Sequence, residues 1–207
     1  MQVTEKLARF AVETSYRSFP KPVVHQAKRC FLDLLGVALG GSKQPLCNIL
    51  VKVAKDFGGK PQATVLGHGL KTNVMNAALV NGAIAHALDY DDTHIYSIGH
   101  PSAPVIPAIL AVAEWKGLSG KSSLEAFILG FELETRIGLG LGPKHYDRGW
   151  HNTSTYGRFG AAVAAGKLLG LSLEQMKQAM GLAGTQAAGL RLVFGTMTKP
   201  FHPGKCA

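Results

Sequence analysis

Hydrophobic positions recur every three or four residues along much of the chain, which is the period of an amphipathic α-helix. A weak example spans Thr4–Phe19, and a stronger one follows Pro22 through residues 23–38 and stops at Gly40-Gly41. Another runs from Pro45 to Phe57. Proline at the first helical position and glycine just past the last one are typical of helix ends. The first quarter of the chain therefore predicts three helices.

The same criteria predict helices through the rest of the chain. They cover Asn73–Leu88 with Thr72 as the expected cap, Ala103–Trp115 from about Pro104 onward, Ser122 or Ser123 to about Leu139, Gly157–Leu169, and a segment from a Ser172–Gln175 capping box to near Ala188. The run Ala63–Gly67 is the only short β-like segment and is too brief to found a sheet. With about eight helices, the pattern predicts an all-α, multi-helix array without solenoid repeats.

Three segments are expected to lack helical structure. Gly138–Pro143 is a glycine-rich break, and Lys144–Tyr156 reads as a polar, aromatic loop with His145 and His151. Pro200 and Pro203 predict that the final segment is also a loop. Because the chain stops just after Lys205 without a closing element, we expect it to be a C-terminally truncated member of a longer protein.

Composition places the chain among folded globular proteins. Of its 207 residues, 46% are hydrophobic and only 17% are charged, which argues against disorder and allows one or two domains. The three cysteines have no metal-ligand spacing, and their odd number favours free thiols in a reducing compartment. We find no signal-peptide pattern, and three prolines interrupt the charge-free stretch Ile95–Ala113. We therefore expect a cytoplasmic protein that makes no membrane contact.

The formal net charge of +9 suits an anionic partner. Its lysines and arginines are scattered, with no basic run and no interleaved aromatic residues, so nucleic acid is not the expected partner. A small anionic substrate fits the charge equally well.

The most distinctive stretch is Asn81–His94, followed by Gly99–Ser102, in which an apolar segment of small residues runs into acids and histidines. If the helix continued, Asp89 would share a face with His86, Asp92 and Thr93, and Asp91 would point elsewhere. Such a group suits proton transfer or polar substrate binding. It is equally compatible with an ordinary capped loop, and His86 alone is more typical of a core histidine.

Other candidate residues are basic. Lys199, His202 and Lys205 lie within seven residues and suit a carboxylate- or phosphate-binding loop, or alternatively a solvated basic tail. His100 precedes Pro101, which restricts its backbone, and His151 has the same candidate status.

Several other chemistries find little support. His86, Asp89, Asp91, Asp92 and His94 offer ligands that suit iron, manganese or zinc, but their spacing matches no compact metal signature. No glycine-rich phosphate loop follows a strand, and a serine nucleophile elbow is absent. None of the cysteines has a recognisable nucleophile context.

Four ordered motifs resemble the MmgE/PrpD family over essentially the whole chain. They are Asn81-Gly-x-x-x-His-x-Leu-Asp-Tyr-Asp-Asp-Thr-His with Gly99-His-Pro-Ser, then Gly149-Trp-His-Asn-Thr, Gly157-x-x-Gly-Ala-Ala, and Thr198-Lys-Pro-Phe-His-Pro-Gly-Lys. That family contains 2-methylcitrate dehydratase, cis-aconitate decarboxylase and iminodisuccinate epimerase. The resemblance implies that residues 1–207 are the N-terminal part of its large helical domain, with the family's smaller α+β domain absent.

The resemblance also implies a homodimer, no metal or organic cofactor, and a small polycarboxylate substrate bound in a cleft between the two domains. Carried over by motif, the catalytic residues are His100, Asp89, Lys199 and His151, and the substrate-binding residues are Thr93, His202 and Lys205. The implied activity is that of a lyase, a dehydratase or decarboxylase acting next to a carboxylate of a di- or tricarboxylate such as 2-methylcitrate or cis-aconitate.

Within that resemblance, we expect His100 to donate or accept the proton and Asp89 to tune or orient it. Thr93 would donate to a substrate carboxylate, while Lys199 and His151 would hold further carboxylates. Two alternatives remain open at this stage. In the first, the chain would be an inactive fragment or a helical assembly module. In the second, it would be an epimerase of an amino- or imino-dicarboxylate.

Overall fold

The structure, a computed structural model, describes residues 2–207, and these residues are predominantly helical. The helices are α1 Val3–Glu13, α2 Lys21–Gly41, α3 Pro45–Phe57, α4 Val74–His86, α5 Ser102–Lys116, α6 Gly120–Leu141, α7 Pro143–Asp147, α8 Asn152–Thr155, α9 Gly157–Leu168, α10 Leu173–Thr185 and α11 Thr198–Cys206. Two short 3₁₀ turns cover Tyr16–Ser18 and Arg191–Val193. The predicted all-α fold class is confirmed.

Helix α4 lies at the centre of the molecule. It is apolar around its whole circumference, which is typical of a helix enclosed by others. Its residues from 77 to 86 are nearly all buried, and it packs against α2, α3, α5 and α11. A second cluster of apolar side chains joins α1, α6, α9 and α10. The acidic stretch that follows α4 therefore starts from the most enclosed part of the fold.

One small antiparallel sheet interrupts the helices. Strand β1, Ala63–Val65, pairs with β2, Leu70–Thr72, so that Ala63 lies opposite Thr72. The β-like run was recognisable in the sequence, but its partner was not. Thr72 belongs to β2, and the cap of α4 is Asn73, whose side chain accepts a hydrogen bond from the backbone N–H of Asn76 at 2.9 Å.

Other predicted boundaries also change. Ser119 caps α6, with its hydroxyl accepting from the backbone N–H of Ser122, so the expected Ser122 or Ser123 cap is wrong. Helix α5 begins at Ser102, two residues before the expected Pro104. The Ser172–Gln175 capping box is confirmed at the start of α10.

The predicted loops contain short helices. Residues 144–156 include most of α7 and all of α8, each too short to show an apolar period. The final segment forms α11, which corrects the loop expected from its prolines. Pro200 occupies the first turn of α11, where a missing N–H costs little, and the helix continues through Pro203.

All three cysteines are buried and unpaired, as their odd number suggested. Within residues 2–207, no single helix combines the length and apolar character needed to cross a bilayer. Only α2 and α3 taken together, which meet at 89°, satisfy the length and composition criteria.

Candidate functional site

A cleft of about 460 Å³ opens beside the segment that joins α4 to α5. It brings together residues from three separate parts of the sequence, 89–100, 146–153 and 194–199. Its lining includes five of the seven predicted site residues, namely Asp89, Thr93, His100, His151 and Lys199. The catalytic and binding roles assigned to them stay predictions.

The acidic cluster lies in an irregular segment and not on a helix. Helix α4 ends at His86, and Asp89 has a left-handed backbone with φ of 53°, a conformation that aspartate tolerates better than most residues. The expectation that Asp89 shares a helical face with His86 and Asp92 is therefore wrong, because the helix ends before Asp89. Asp89 does remain near His86, but Asp91 also faces His86, and Asp92 turns away to accept hydrogen bonds from Ser102.

Asp89 is the carboxylate that faces the cleft. Its Oδ2 lies 2.5 Å from the Lys199 Nζ, and its Oδ1 lies 3.6 Å from the His100 Nε2 and 3.8 Å from the His86 Nε2. Burial by itself would raise the pKa of Asp89, but the Lys199 ammonium outweighs it and lowers that pKa. Asp89 is consequently an anion at neutral pH.

Asp91 holds the imidazole of His86 from the buried side. Both side chains are 0% exposed, and the His86 Nδ1 lies 2.9 Å from each carboxylate oxygen of Asp91. Since a carboxylate can only accept here, this contact places the proton of a neutral imidazole on Nδ1. The His86 Nε2, which points toward Asp89, then carries a lone pair.

His100 is fixed through its backbone and its ring. Its backbone N–H donates to the Thr153 Oγ1 at 3.0 Å, and its ring meets the His86 ring edge-to-face with centroids 4.7 Å apart. The His100 Nδ1 lies 3.3 Å from the backbone oxygen of Asp91. The His100 side chain is 18% exposed and lines the cleft.

His151 and His202 form a second pair of imidazoles, with their Nδ1 atoms 2.9 Å apart. Burial, reinforced by the nearby Lys199 ammonium, lowers the pKa of His151 to about 2. Burial and the nearby Lys205 also lower the pKa of His202. Both rings are therefore neutral at pH 7, and one Nδ1–H donates to the other nitrogen.

Helix α11 separates the three basic candidates. Lys199 reaches the cleft, where its Nζ also lies 4.7 Å from the ring centroid of Phe194. His202 lies behind His151 and is not part of the cleft lining. Lys205 is exposed and also lies outside the lining. The binding roles predicted for His202 and Lys205 stay predictions, and the structure gives His202 a contact to His151 instead.

Asp92 borders a different surface. Its carboxylate accepts from the Ser102 hydroxyl at 2.5 Å and from the Ser102 backbone N–H at 3.1 Å. Burial raises the pKa of Asp92, and burial with the nearby Asp92 raises the pKa of the Cys30 thiol to about 11. This carboxylate thus anchors the start of α5 and does not face the cleft.

The sequence reasoning missed several lining residues, among them Tyr146, Thr153 and Phe194. Thr153 lies in the Gly-Trp-His-Asn-Thr motif, so the motif itself was the available signal. Tyr146 and Phe194 lie in segments without a recognisable pattern, and only the fold brings them to the cleft.

Four side chains have the ligand types and proximity of a metal site. His86, Asp89, Asp91 and His100 each offer one ligand atom, and these atoms all lie within 4.8 Å of one another. This set replaces the one weighed from sequence, because Asp92 bonds to Ser102 and the His94 Nδ1 lies 2.9 Å from the Ser97 hydroxyl.

Comparisons with known proteins agree with this arrangement of motifs. Residues 5–207 match the family model of the MmgE/PrpD N-terminal domain. The chain is 34% identical to "Cis-aconitate decarboxylase" of Aspergillus terreus, over 99% of this chain and 43% of the relative. It is 33% identical to "Cis-aconitate decarboxylase" of Homo sapiens, over 89% of this chain and 40% of the relative.

A more distant relative is "2-methylcitrate dehydratase" of Escherichia coli (strain K12), which is 26% identical over 86% of this chain and 38% of the relative. The chain thus spans less than half the length of each of these curated relatives.

Proposed function

This chain belongs to the MmgE/PrpD family, and we propose that it acts as a cofactor-independent lyase on a small di- or tricarboxylate. Among the relatives, those named for cis-aconitate decarboxylation reach 34% identity, and those named for 2-methylcitrate dehydration reach 29%. This difference favours decarboxylation of a cis-aconitate-like substrate as the first candidate reaction.

The observation that carries the proposal is the composition of the cleft. Its lining includes the Lys199 ammonium, the imidazoles of His100 and His151, the Thr93 hydroxyl and one carboxylate, that of Asp89. Cationic and N–H donors bind carboxylates strongly, particularly where water is partly excluded. Because His151 is neutral, Lys199 supplies the cationic charge while His151 contributes a neutral contact.

The proposed reaction needs one proton and a stabilised carbanion. Loss of CO₂ breaks a carbon–carbon bond and leaves the electron pair on the substrate carbon, where conjugation with a neighbouring carboxylate spreads the charge. Donors held close to that carboxylate stabilise the developing charge. A proton delivered to the substrate then completes the product, and His100, which lies at the cleft beside the Asp89 anion, is the proposed donor.

Dehydration of 2-methylcitrate is the second candidate. His100, beside Asp89, would remove a proton next to a carboxylate instead of delivering one. The substrate hydroxyl would take a proton from the site and leave as water. The more distant relatives named for this reaction support it. Product analysis distinguishes the two reactions, since only decarboxylation releases CO₂.

An assay of the purified chain with cis-aconitate and with 2-methylcitrate tests the proposal. We expect His100→Asn to lower turnover by about a hundredfold or more, the usual contribution of a positioned acid or base, with a smaller effect on substrate binding. Lys199→Met should weaken substrate binding more than His100→Asn does. Matched controls are His25→Asn and Lys52→Met, which change exposed residues outside the cleft.

The outcomes separate the alternatives. Turnover that survives His100→Asn would remove His100 from the mechanism. Binding of both tricarboxylates without turnover by the folded chain would favour a non-catalytic helical module over a lyase.

A further inference from the structure

Three acceptor atoms, the Asp89 Oδ1 and the Nε2 atoms of His86 and His100, lie near one another beside the cleft. The Asp89 Oδ1 lies 3.8 Å from the His86 Nε2 and 3.6 Å from the His100 Nε2. The other oxygen of Asp89, Oδ2, lies 2.5 Å from the Lys199 Nζ. What occupies the space between these atoms depends on which nitrogen of each imidazole carries its proton.

Asp91 settles the tautomer of both rings. Its carboxylate lies 2.9 Å from the His86 Nδ1, and the same residue faces the His100 Nδ1 through its backbone oxygen at 3.3 Å and its Oδ2 at 3.5 Å. Both Nδ1 atoms therefore face acceptors, which favours the Nδ1–H tautomer and leaves a lone pair on each Nε2. A carboxylate behind an imidazole is also the usual arrangement around metal-bound histidines.

The unpaired Nε2 of His86 independently indicates that a cation could bind between the three acceptor atoms. Its side chain is 0% exposed, yet its Nε2 has no hydrogen-bond partner among residues 2–207. Leaving a buried acceptor unpaired costs roughly 1–3 kcal/mol. A cation between the three acceptors would remove that cost and would also balance the charge of Asp89.

We propose that His86, His100 and Asp89 form a Zn²⁺ site, with Asp91 as the outer carboxylate that orients both imidazoles. Zinc–nitrogen and zinc–oxygen bonds of about 2.0–2.2 Å place tetrahedral ligands roughly 3.3–3.5 Å apart. The observed separations of 3.6 and 3.8 Å need to contract by only a few tenths of an ångström. Two imidazoles and one carboxylate favour zinc over magnesium, which prefers oxygen ligands.

Lys199 opposes this ion. Its Nζ lies 2.5 Å from the Asp89 Oδ2, so the ammonium competes for the same carboxylate and repels a second cation. The site is therefore suited to inhibition and not to permanent metal binding. Zn²⁺ on the His100 Nε2 would block proton transfer and inhibit the enzyme. Only this step rests on the proposed lyase function.

Titration of Zn²⁺ into the untagged 207-residue chain, in the absence of substrate, tests the site by calorimetry. We expect one equivalent to bind, and Asp89→Asn and His100→Gln each to weaken binding by about tenfold or more. Lys199→Met should strengthen binding, a change of sign that a merely structural role of Lys199 would not produce. His25→Gln, at an exposed position, is the matched control.

Cobalt(II) serves as a spectroscopic probe of the same site. We expect visible absorption typical of tetrahedral coordination, without the near-ultraviolet band of a thiolate ligand. The His86→Gln variant should lack this absorption. Circular dichroism and thermal unfolding of the variant check that it folds. Asp89→Asn supplies a second variant in which the changed side chain is 53% exposed, so folding is not at risk.

Several results would overturn the site. They are the absence of a bound equivalent, wild-type affinity in Asp89→Asn and His100→Gln, or weaker binding in Lys199→Met. Any of these would mean that the three acceptors do not form a zinc site. Because no substrate is present, they leave the proposed lyase function untouched, and a failed lyase assay would likewise leave the binding result standing.

Discussion

Asp89 and Asp91 are separated by one residue, Tyr90, but lie in opposite environments. The Asp89 side chain is 53% exposed and faces Lys199 across the cleft, whereas Asp91 is 0% exposed and faces two imidazoles. The left-handed backbone at Asp89, with φ of 53°, turns the chain between them. One short segment thus supplies both a carboxylate for the cleft and a carboxylate that orients the histidines beside it.

Glu134 is a buried acid that should make the stability of the fold depend on pH. In the described part of the chain, neither of its carboxylate oxygens has a hydrogen-bond partner, and burial, with a smaller contribution from Asp92, raises its pKa well above the usual range. The folded state therefore keeps a proton that the unfolded state releases above pH of about 4.3. Stability then falls as pH rises, by up to about 1.4 kcal/mol per pH unit, until the pH passes the folded pKa.

Replacing Glu134 by Met, which has similar volume and no ionisable group, should remove this slope. We expect the free energy of unfolding of Glu134→Met, measured by urea denaturation, to increase relative to that of the wild type as the pH rises from 5 to 7. Glu174→Met, at an exposed position of α10, is the control and should follow the wild-type slope. An unchanged slope in Glu134→Met would mean that Glu134 is ionised in the folded protein.

The sequence identified residues that lie in the cleft, but it did not predict their contacts with one another correctly. The motifs supplied Asp89, Thr93, His100, His151 and Lys199, and the structure brings all five to one cleft. The helical period put Asp91 on the wrong side because α4 ends at His86 and the chain turns at Asp89. A single left-handed residue leaves no periodic signal in the sequence, so the contacts of Asp91 could only come from the fold.

At the scale of elements, the contact between α4 and α11 determines where Lys199 lies. The two helices approach closely at Gly82 and Gly204. A Cβ on Gly82 would lie 2.6 Å from the Gly204 Cα, and a Cβ on Gly204 would overlap the backbone oxygen of Leu79. Small residues permit this approach, and α11 then holds Lys199 beside Asp89 at the end of α4.

Gly204→Ala should therefore destabilise the fold and displace α11. We expect a loss of about 1–3 kcal/mol in the free energy of unfolding, typical of overpacking, together with weaker tricarboxylate binding because Lys199 moves. Gly181→Ala is the control, since a Cβ at this position of α10 meets nothing within 4 Å. Alanine there should stabilise the helix by up to about 1 kcal/mol. Equal stability of the two variants would contradict the close contact.

Long helices were predictable and short ones were not. The apolar period and the proline and glycine at the ends located α2 and α3 nearly to the residue. Helices α7 and α8 contain about one turn each, which is too little for a period to show. Helix α11 was mistaken for a loop because Pro200 and Pro203 are ordinarily helix breakers, although the first turn accepts proline.

At the scale of the whole molecule, the net charge of +9 and the local charge of the cleft are different quantities. Within the cleft, the Lys199 ammonium is paired with Asp89 and His151 is neutral, so local charge is nearly balanced. If the proposed polycarboxylate binds in this cleft, its attraction must come partly from basic residues farther away. Such contributions are screened beyond a Debye length of about 8 Å at physiological ionic strength.

This balance predicts that tricarboxylate binding depends strongly on salt. We expect the Kd of propane-1,2,3-tricarboxylate to rise between 20 and 200 mM salt by roughly threefold or more, because distant cations are screened while local contacts persist. Butyrate, with one carboxylate, is the control ligand and should show a smaller rise. Calorimetry at constant pH measures both. If both ligands respond equally to salt, the distant basic residues contribute nothing and the contacts of the cleft alone account for recognition.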